Sequence, residues 1–183
     1  MAAPIGVERG GTIEGYGTVS GSATLRGDIR AGTTAGTLSF DGPADLDGST
    51  FYWRLDALTD NATSQGTPDW NTLAFSGTAK LGRPDAPLSI FLEFADGISP
   101  QSGNSFWNSP HTWTVFGMNS QWSGVSSAGN FSFAEGQFGF FWDSMNGAGL
   151  LAFAPVPEPS TCMMALAGLA CGGYLVRRHR KRA

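Results

Sequence analysis

Apolar side chains recur at short intervals along the first third of the chain, at Ile13, Val19, Leu25, Ile29, Leu38, Phe40, Leu46, Phe51, Trp53 and Leu55, with Gly, Asp or Thr between them. In the stretches GTLSF and STFYWRL the alternation has period two, which sends one set of side chains inward and the other to solvent. Further alternating stretches follow in NTLAFSG (Leu73, Phe75), APLSIFLEFADG (Leu88, Ile90, Leu92, Phe94) and HTWTVFG (Trp113, Val115), then in GNFSFAEG, FGFFWDS and GLLAFAP. All of these read as short strands. Residues 59–71, TDNATSQGTPDWN, hold no large apolar side chain before Trp70 and read as a long surface loop.

Strands of three to six residues between frequent turns predict an all-β body, solenoid-like or sandwich-like, with parallel or antiparallel pairing. GYGTVSG, ATLRGDI and GTLSFDG look like successive layers of a solenoid, with a sandwich-like or jelly-roll-like continuation after them. Composition agrees: 26 Gly, 13 Phe and 6 Trp favour strands and tight turns. Within 183 residues we expect one β-rich domain over residues 1–154 and a tail over 155–183.

Charge separates these parts. Residues 1–154 hold 6 bases against 14 acids, net −8, whereas residues 177–182, RRHRKR, hold 5 of the 11 Lys and Arg. An acidic body lacks the basic footprint that neutralises phosphates, so nucleic acid is excluded as a partner. Both cysteines, Cys162 and Cys171, lie in the tail, nine positions apart and on nearly opposite faces of a helix, so they cannot pair there. The N-terminal MAAPIGVERGGTIEG has neither a basic run nor an apolar run of secretory type. We therefore expect either a longer gene product, whose export signal and further repeats lie upstream, or a protein that stays inside.

The body resembles the passenger-type β-repeat regions of autotransporter-like and surface-exported bacterial proteins. There a G-T-L strand precedes a strand reading roughly D-x-L-x-x-x-G-x-A-x-L-G and a P-x-x-G-x-x-F turn, the order that residues 69–82 and 100–106 follow. The resemblance implies a secreted surface domain and transfers no chemistry.

The tail has three parts in a fixed order. Pro155, Pro157 and Pro159 make residues 155–160 an extended linker, because proline fixes φ and pushes its predecessor out of the helical region. Residues 161–176 are uncharged and predict a single C-terminal transmembrane helix of about 24 Å, short of the ~30 Å hydrocarbon core. Residues 177–183, with Arg177, Arg178, Arg180, Lys181 and Arg182, form a basic end that the positive-inside rule keeps cytoplasmic. With Pro157, Glu158 and Pro159 as signature, this order resembles the PEP-CTERM protein-sorting signal. The resemblance implies an exosortase as processing partner and a body delivered to the bacterial envelope or beyond. A plain uncleaved tail anchor is the alternative.

Candidate chemistry in the body is sparse. His111 is the only histidine before the tail and reads as a surface or hydrogen-bonded residue. Asp41, Asp45 and Asp47, with Gly42 and Gly48, form a turn-like cluster and a weak Ca²⁺ candidate, without the spacing of an EF-hand. Apart from that cation no cofactor and no metal is expected. Glu93 with Asp96, and Glu135 with Asp143, are carboxylate pairs that no spacing singles out for glycoside hydrolysis. Trp107, Trp113, Trp122 and Trp142 would stack on extracellular polysaccharide if exposed in a row, but read first as core. The resulting expectation is a non-enzymatic structural or adhesive envelope protein, with a glycan-binding or glycan-active surface domain as the alternative.

Overall fold

The computed structural model describes residues 3–60, 69–83, 85–100, 103–118, 138–143 and 145–155. Within them the chain is almost entirely β. It visits three sheets in rotation, four times. The first circuit comprises β1 (Ile5–Val7), β2 (Thr12–Glu14) and β3 (Gly17–Val19), and the second β4 (Ala23–Leu25), β5 (Asp28–Arg30) and β6 (Thr37–Phe40). The third comprises β7 (Ala44–Asp45), β8 (Thr50–Leu55) and β9 (Thr72–Phe75). The fourth runs through β10 (Ala79–Lys80), a minimal antiparallel pair β11 (Gly82–Arg83) and β12 (Ala86–Pro87), β13 (Ser89–Phe94) and β14 (His111–Met118). A hairpin of β15 (Phe138–Asp143) and β16 (Ala148–Phe153) follows.

The first sheet has the order β1-β4-β7-β10, the second β13-β8-β5-β2, and the third β15-β16-β14-β9-β6-β3. Pairing between successive circuits is parallel throughout, and among the described residues the antiparallel pairs are β11 with β12, β14 with β16 and β15 with β16, besides one isolated bridge from Leu55 to Trp70. The parallel order thus extends through β14, into the region where the pattern suggested a sandwich-like continuation.

Register stacks like on like. Ala23, Ala44 and Ala79 lie in one column of the first sheet, Ile13, Ile29, Phe51 and Ile90 in one of the second, and Val19, Phe40 and Phe75 in one of the third. Because strand side chains alternate faces, each column is wholly inward or wholly outward. The inward columns form one core, in which Leu25, Ile29, Phe40, Phe51, Trp53, Leu55, Leu73 and Leu151 are fully enclosed. Each such side chain stabilises the fold by about 1.5–3 kcal/mol relative to exposure. Phe40 stacks on Phe75 at 5.3 Å and 12°, a direct product of parallel register.

One corner shows why glycine recurs. A Cβ on Gly42 would lie 2.2 Å from the carbonyl oxygen of Gly21, and one on Gly77 would lie 2.6 Å from that of Gly42. Successive circuits approach there backbone to backbone, leaving no room for a side chain. At the opposite end of the third-sheet strands, buried Asn71 accepts the Gly36 N–H through Oδ1 at 2.9 Å and donates to the Tyr52 carbonyl at 3.4 Å. It thereby ties the loop before β6 to β8 through backbone groups of two adjacent circuits. On β14 the ladder to β16 shifts between Thr114 and Phe116, so that Trp113, Val115 and Phe116 are all buried, a bulge that strict alternation does not anticipate.

Candidate ligand-binding face

The second sheet turns its outward columns to solvent, and these hold the densest polar and aromatic chemistry of the described body. One column reads Thr12, Asp28, Thr50 and Ser89; the next reads Glu14, Arg30, Tyr52 and Phe91; Arg54 and Glu93 begin a third. Each position is outward because its neighbours Ile29, Phe51, Trp53 and Ile90 are buried. Arg30 lies flat over Tyr52, its guanidinium carbon 3.6 Å from the ring centroid, and its Nη1 donates to Oε1 of Glu93 at 2.7 Å. Tyr52 in turn meets Phe91 at 5.3 Å with the rings tilted by 50°. Burial opposes the Arg30 charge, but the hydrogen bond and charge of Glu93, helped by Tyr52, raise its pKa overall. Arg30 is therefore a fixed cation, held in place by a carboxylate from two circuits further on.

Beside this array lies an open groove of about 430 Å³, lined by Glu14, Arg30, Gly32, Thr33, Arg54, Glu93 and Phe94. Two carboxylates and two guanidinium groups give it no net charge. Arg54 is itself braced by Asp56, which also receives the Ala35 N–H. The groove offers donors, acceptors and aromatic faces within a shell whose members fix one another.

The residues singled out from sequence are distributed differently. Asp41 accepts from the Ser20 hydroxyl at 2.8 Å and the Gly21 N–H at 2.9 Å, and these bonds, the Gly21 one first, hold its pKa below the ordinary value. Asp45 receives a two-pronged pair of 2.9 Å bonds from Arg26, and buried Asp47 faces Arg83 at 3.4 Å. The three carboxylates thus serve separate partners, and among the described residues no group of three or more potential ligands surrounds a metal position. Glu93 belongs to the groove, whereas Asp96 is exposed in the turn after β13. Asp143 closes the turn after β15 by accepting from Met145 N and from Asn146, while Glu135 lies outside the described residues.

His111 is largely buried, stacked on Phe106 at 3.6 Å, with Nδ1 3.0 Å from Asp60 and Nε2–H donating to the Phe106 carbonyl at 2.6 Å. It ties the start of β14 to the short 3-10 helix Ser105–Asn108. Trp107 and Trp113 are buried within the same aromatic cluster, and Trp142 packs against the core, so these three form no exposed row; Trp122 lies outside the described residues. On the second sheet the aromatics that reach solvent are half-buried Tyr52 and exposed Phe91, and on the third sheet Phe141 does so; the sequence reading selected none of them. The signal for Tyr52 and Phe91 was the repeated outward position in T-x-E, D-x-R, T-x-Y-x-R and S-x-F-x-E, visible only after the circuits are aligned.

Residues 155–181 match a family model described as the PEP-CTERM protein-sorting motif. The tail carries a sorting signal. The match spans Pro157, Glu158, Pro159 and the basic residues Arg177, Arg178, Arg180 and Lys181, with Arg182 just beyond it, and it implies an exported, envelope-associated protein sorted by an exosortase. These residues, and the span expected over 161–176, lie outside the described residues; among the described ones no helix is long and apolar enough to cross a membrane. No curated protein and no solved structure matches the chain.

Proposed function

We propose that this PEP-CTERM protein presents a solenoid-like β body at the bacterial envelope or in its matrix, where the body acts as a structural or adhesive element. The observation that supports the reading is the combination of a sorting motif at 155–181 with a body of in-register parallel circuits. Each circuit buries its apolar columns only against the next, which is how solenoids build long, stiff surfaces. The likeness to passenger-type repeats, carried by the motif order of residues 69–82 and 100–106, belongs to the same reading. The tail acts as an address: its helix holds the chain in the membrane with the basic end inside until an exosortase cuts near the Pro-Glu-Pro signature and passes the body outward. Within this reading the body works by contact and not by catalysis.

The test is the intact mass of the protein recovered from its native host, with its C-terminus mapped. Loss of the mass beyond the Pro-Glu-Pro region, with or without an added carrier, is expected. A full-length chain in the membrane fraction would instead identify an uncleaved anchor.

A further inference from the structure

We infer that the outward face of the second sheet binds a neutral glycan laid across the circuits, along the column Glu14, Arg30, Tyr52 and Phe91. The inference rests on the adhesive reading only for where this face is displayed; the binding itself follows from the face.

Four considerations define the ligand. First, the column crosses three inter-strand steps of about 4.8 Å, so it offers roughly 14 Å of continuous contact, the length of a short run of sugar rings in an extended chain. A ligand lying along it meets one side chain per circuit. Second, the chemistry changes along that line: a carboxylate, then a guanidinium stacked on the Tyr52 ring, then the exposed phenyl ring of Phe91. Vicinal hydroxyls pair with carboxylates and guanidinium groups, and the less polar faces of sugar rings rest on aromatic ones. Phe91 is 48 % exposed although its strand neighbour Ile90 is buried, so its ring is held at the surface by a rigid sheet. Third, the polar groups are already in place. Arg30 is fixed by Glu93 and Tyr52, and Arg54 by Asp56, so little side-chain freedom is lost on binding. Fourth, the charge decides between classes of glycan. Glu14 and Glu93 offset Arg30 and Arg54 in the groove, and residues 1–154 bear a net −8, so a uronate-rich polyanion approaches against the field while a neutral chain does not.

The purified full-length chain in detergent is run by affinity electrophoresis in gels containing hydroxyethyl cellulose, pullulan or dextran, with alginate as the polyanionic comparison. Retardation by at least one neutral polymer is expected. Phe91→Ala, a substitution at a half-exposed position that spares the core, should weaken it about tenfold, and Glu14→Gln should weaken it measurably. Phe141→Ala removes an aromatic that is 44 % exposed on β15, in the third sheet and outside this column, and should leave the retardation unchanged. Melting curves of each variant separate a binding defect from unfolding. Absence of retardation in all three neutral polymers would overturn the inference, as would wild-type retardation of Phe91→Ala or binding to alginate alone. None of these outcomes bears on tail processing, which the intact mass reads independently.

Discussion

Glycine at the stacked corner is a residue whose role is set by its neighbours in the adjacent circuits. Because a Cβ at position 42 would fall 2.2 Å from a backbone oxygen, Gly42→Ala must force two circuits apart. An overpacking cost of roughly 1–3 kcal/mol is expected, seen as a lower urea midpoint, whereas Ala at Gly6, where nothing approaches within 4 Å, should change little. Asp45 illustrates a charge with a defined partner. Its hydrogen bond from Arg26, reinforced by the Asp47 N–H and by the Arg26 charge, holds its pKa below the ordinary carboxylate value, against the opposing effect of burial. A depressed folded-state pKa means that the unfolded chain takes up the proton first. The stabilisation is therefore complete above about pH 4 and is lost as pH falls through the folded value. Asp45→Asn should flatten this part of the acid limb in a plot of melting temperature against pH; an unchanged limb would show that the pair does not contribute.

At the scale of elements, the strands were legible and their order was not. Period-two alternation marks Leu38 and Phe40, Phe51 to Leu55, Leu73 and Phe75, and Leu88 to Phe94, and each falls in or beside an observed strand with those side chains inward. The repeat was harder to see because the circuits differ in length: residues 56–71 separate β8 from β9, whereas only residues 31–36 separate β5 from β6. Aligned by structure, GTVSGSATL, GTLSFDGPADL and NTLAFSGTAKL occupy one corner in successive circuits, while ATLRGDI, which looked like a layer of its own, spans the first and second sheets. The candidate face suffered from the same obstacle, since Glu14, Arg30, Tyr52 and Phe91 are far apart in sequence and become neighbours only through register. The tryptophans read first as core, and Trp107 and Trp113 are buried in the aromatic cluster built by β14, the 3-10 helix and the closing hairpin. That hairpin covers the edge of β14, and Leu151 on β16 sits opposite Trp113 on one side and Phe140 on the other. Leu151→Ala should cost about 2–5 kcal/mol, and hydrogen exchange should show larger losses of protection in β14 than in β5, which lies two circuits away.

For the whole molecule, the two ends of the charge distribution have different fates. The full chain has a formal net charge of −4, but residues 1–154 account for −8, because five bases sit at 177–182 and Glu158 is the only acid beyond 154. In the proposed topology the basic end would resist translocation and the acidic body would pass outward. Under the proposed processing, a cut near Pro157 would remove the bases and leave a body far more acidic than its precursor, whose copies would repel one another. Replacing Pro157 and Pro159 with Ala removes the rigid extended backbone that presents the signature, while leaving the apolar segment and the basic end in place. The double variant is expected to accumulate in the membrane fraction at full mass, focusing close to the precursor's pI of about 5.0. The unsubstituted protein should yield an extracytoplasmic form that is lighter and more acidic. Equal processing of both would mean that the Pro-Glu-Pro segment is a spacer, and that the cut is directed by the apolar segment and the basic end.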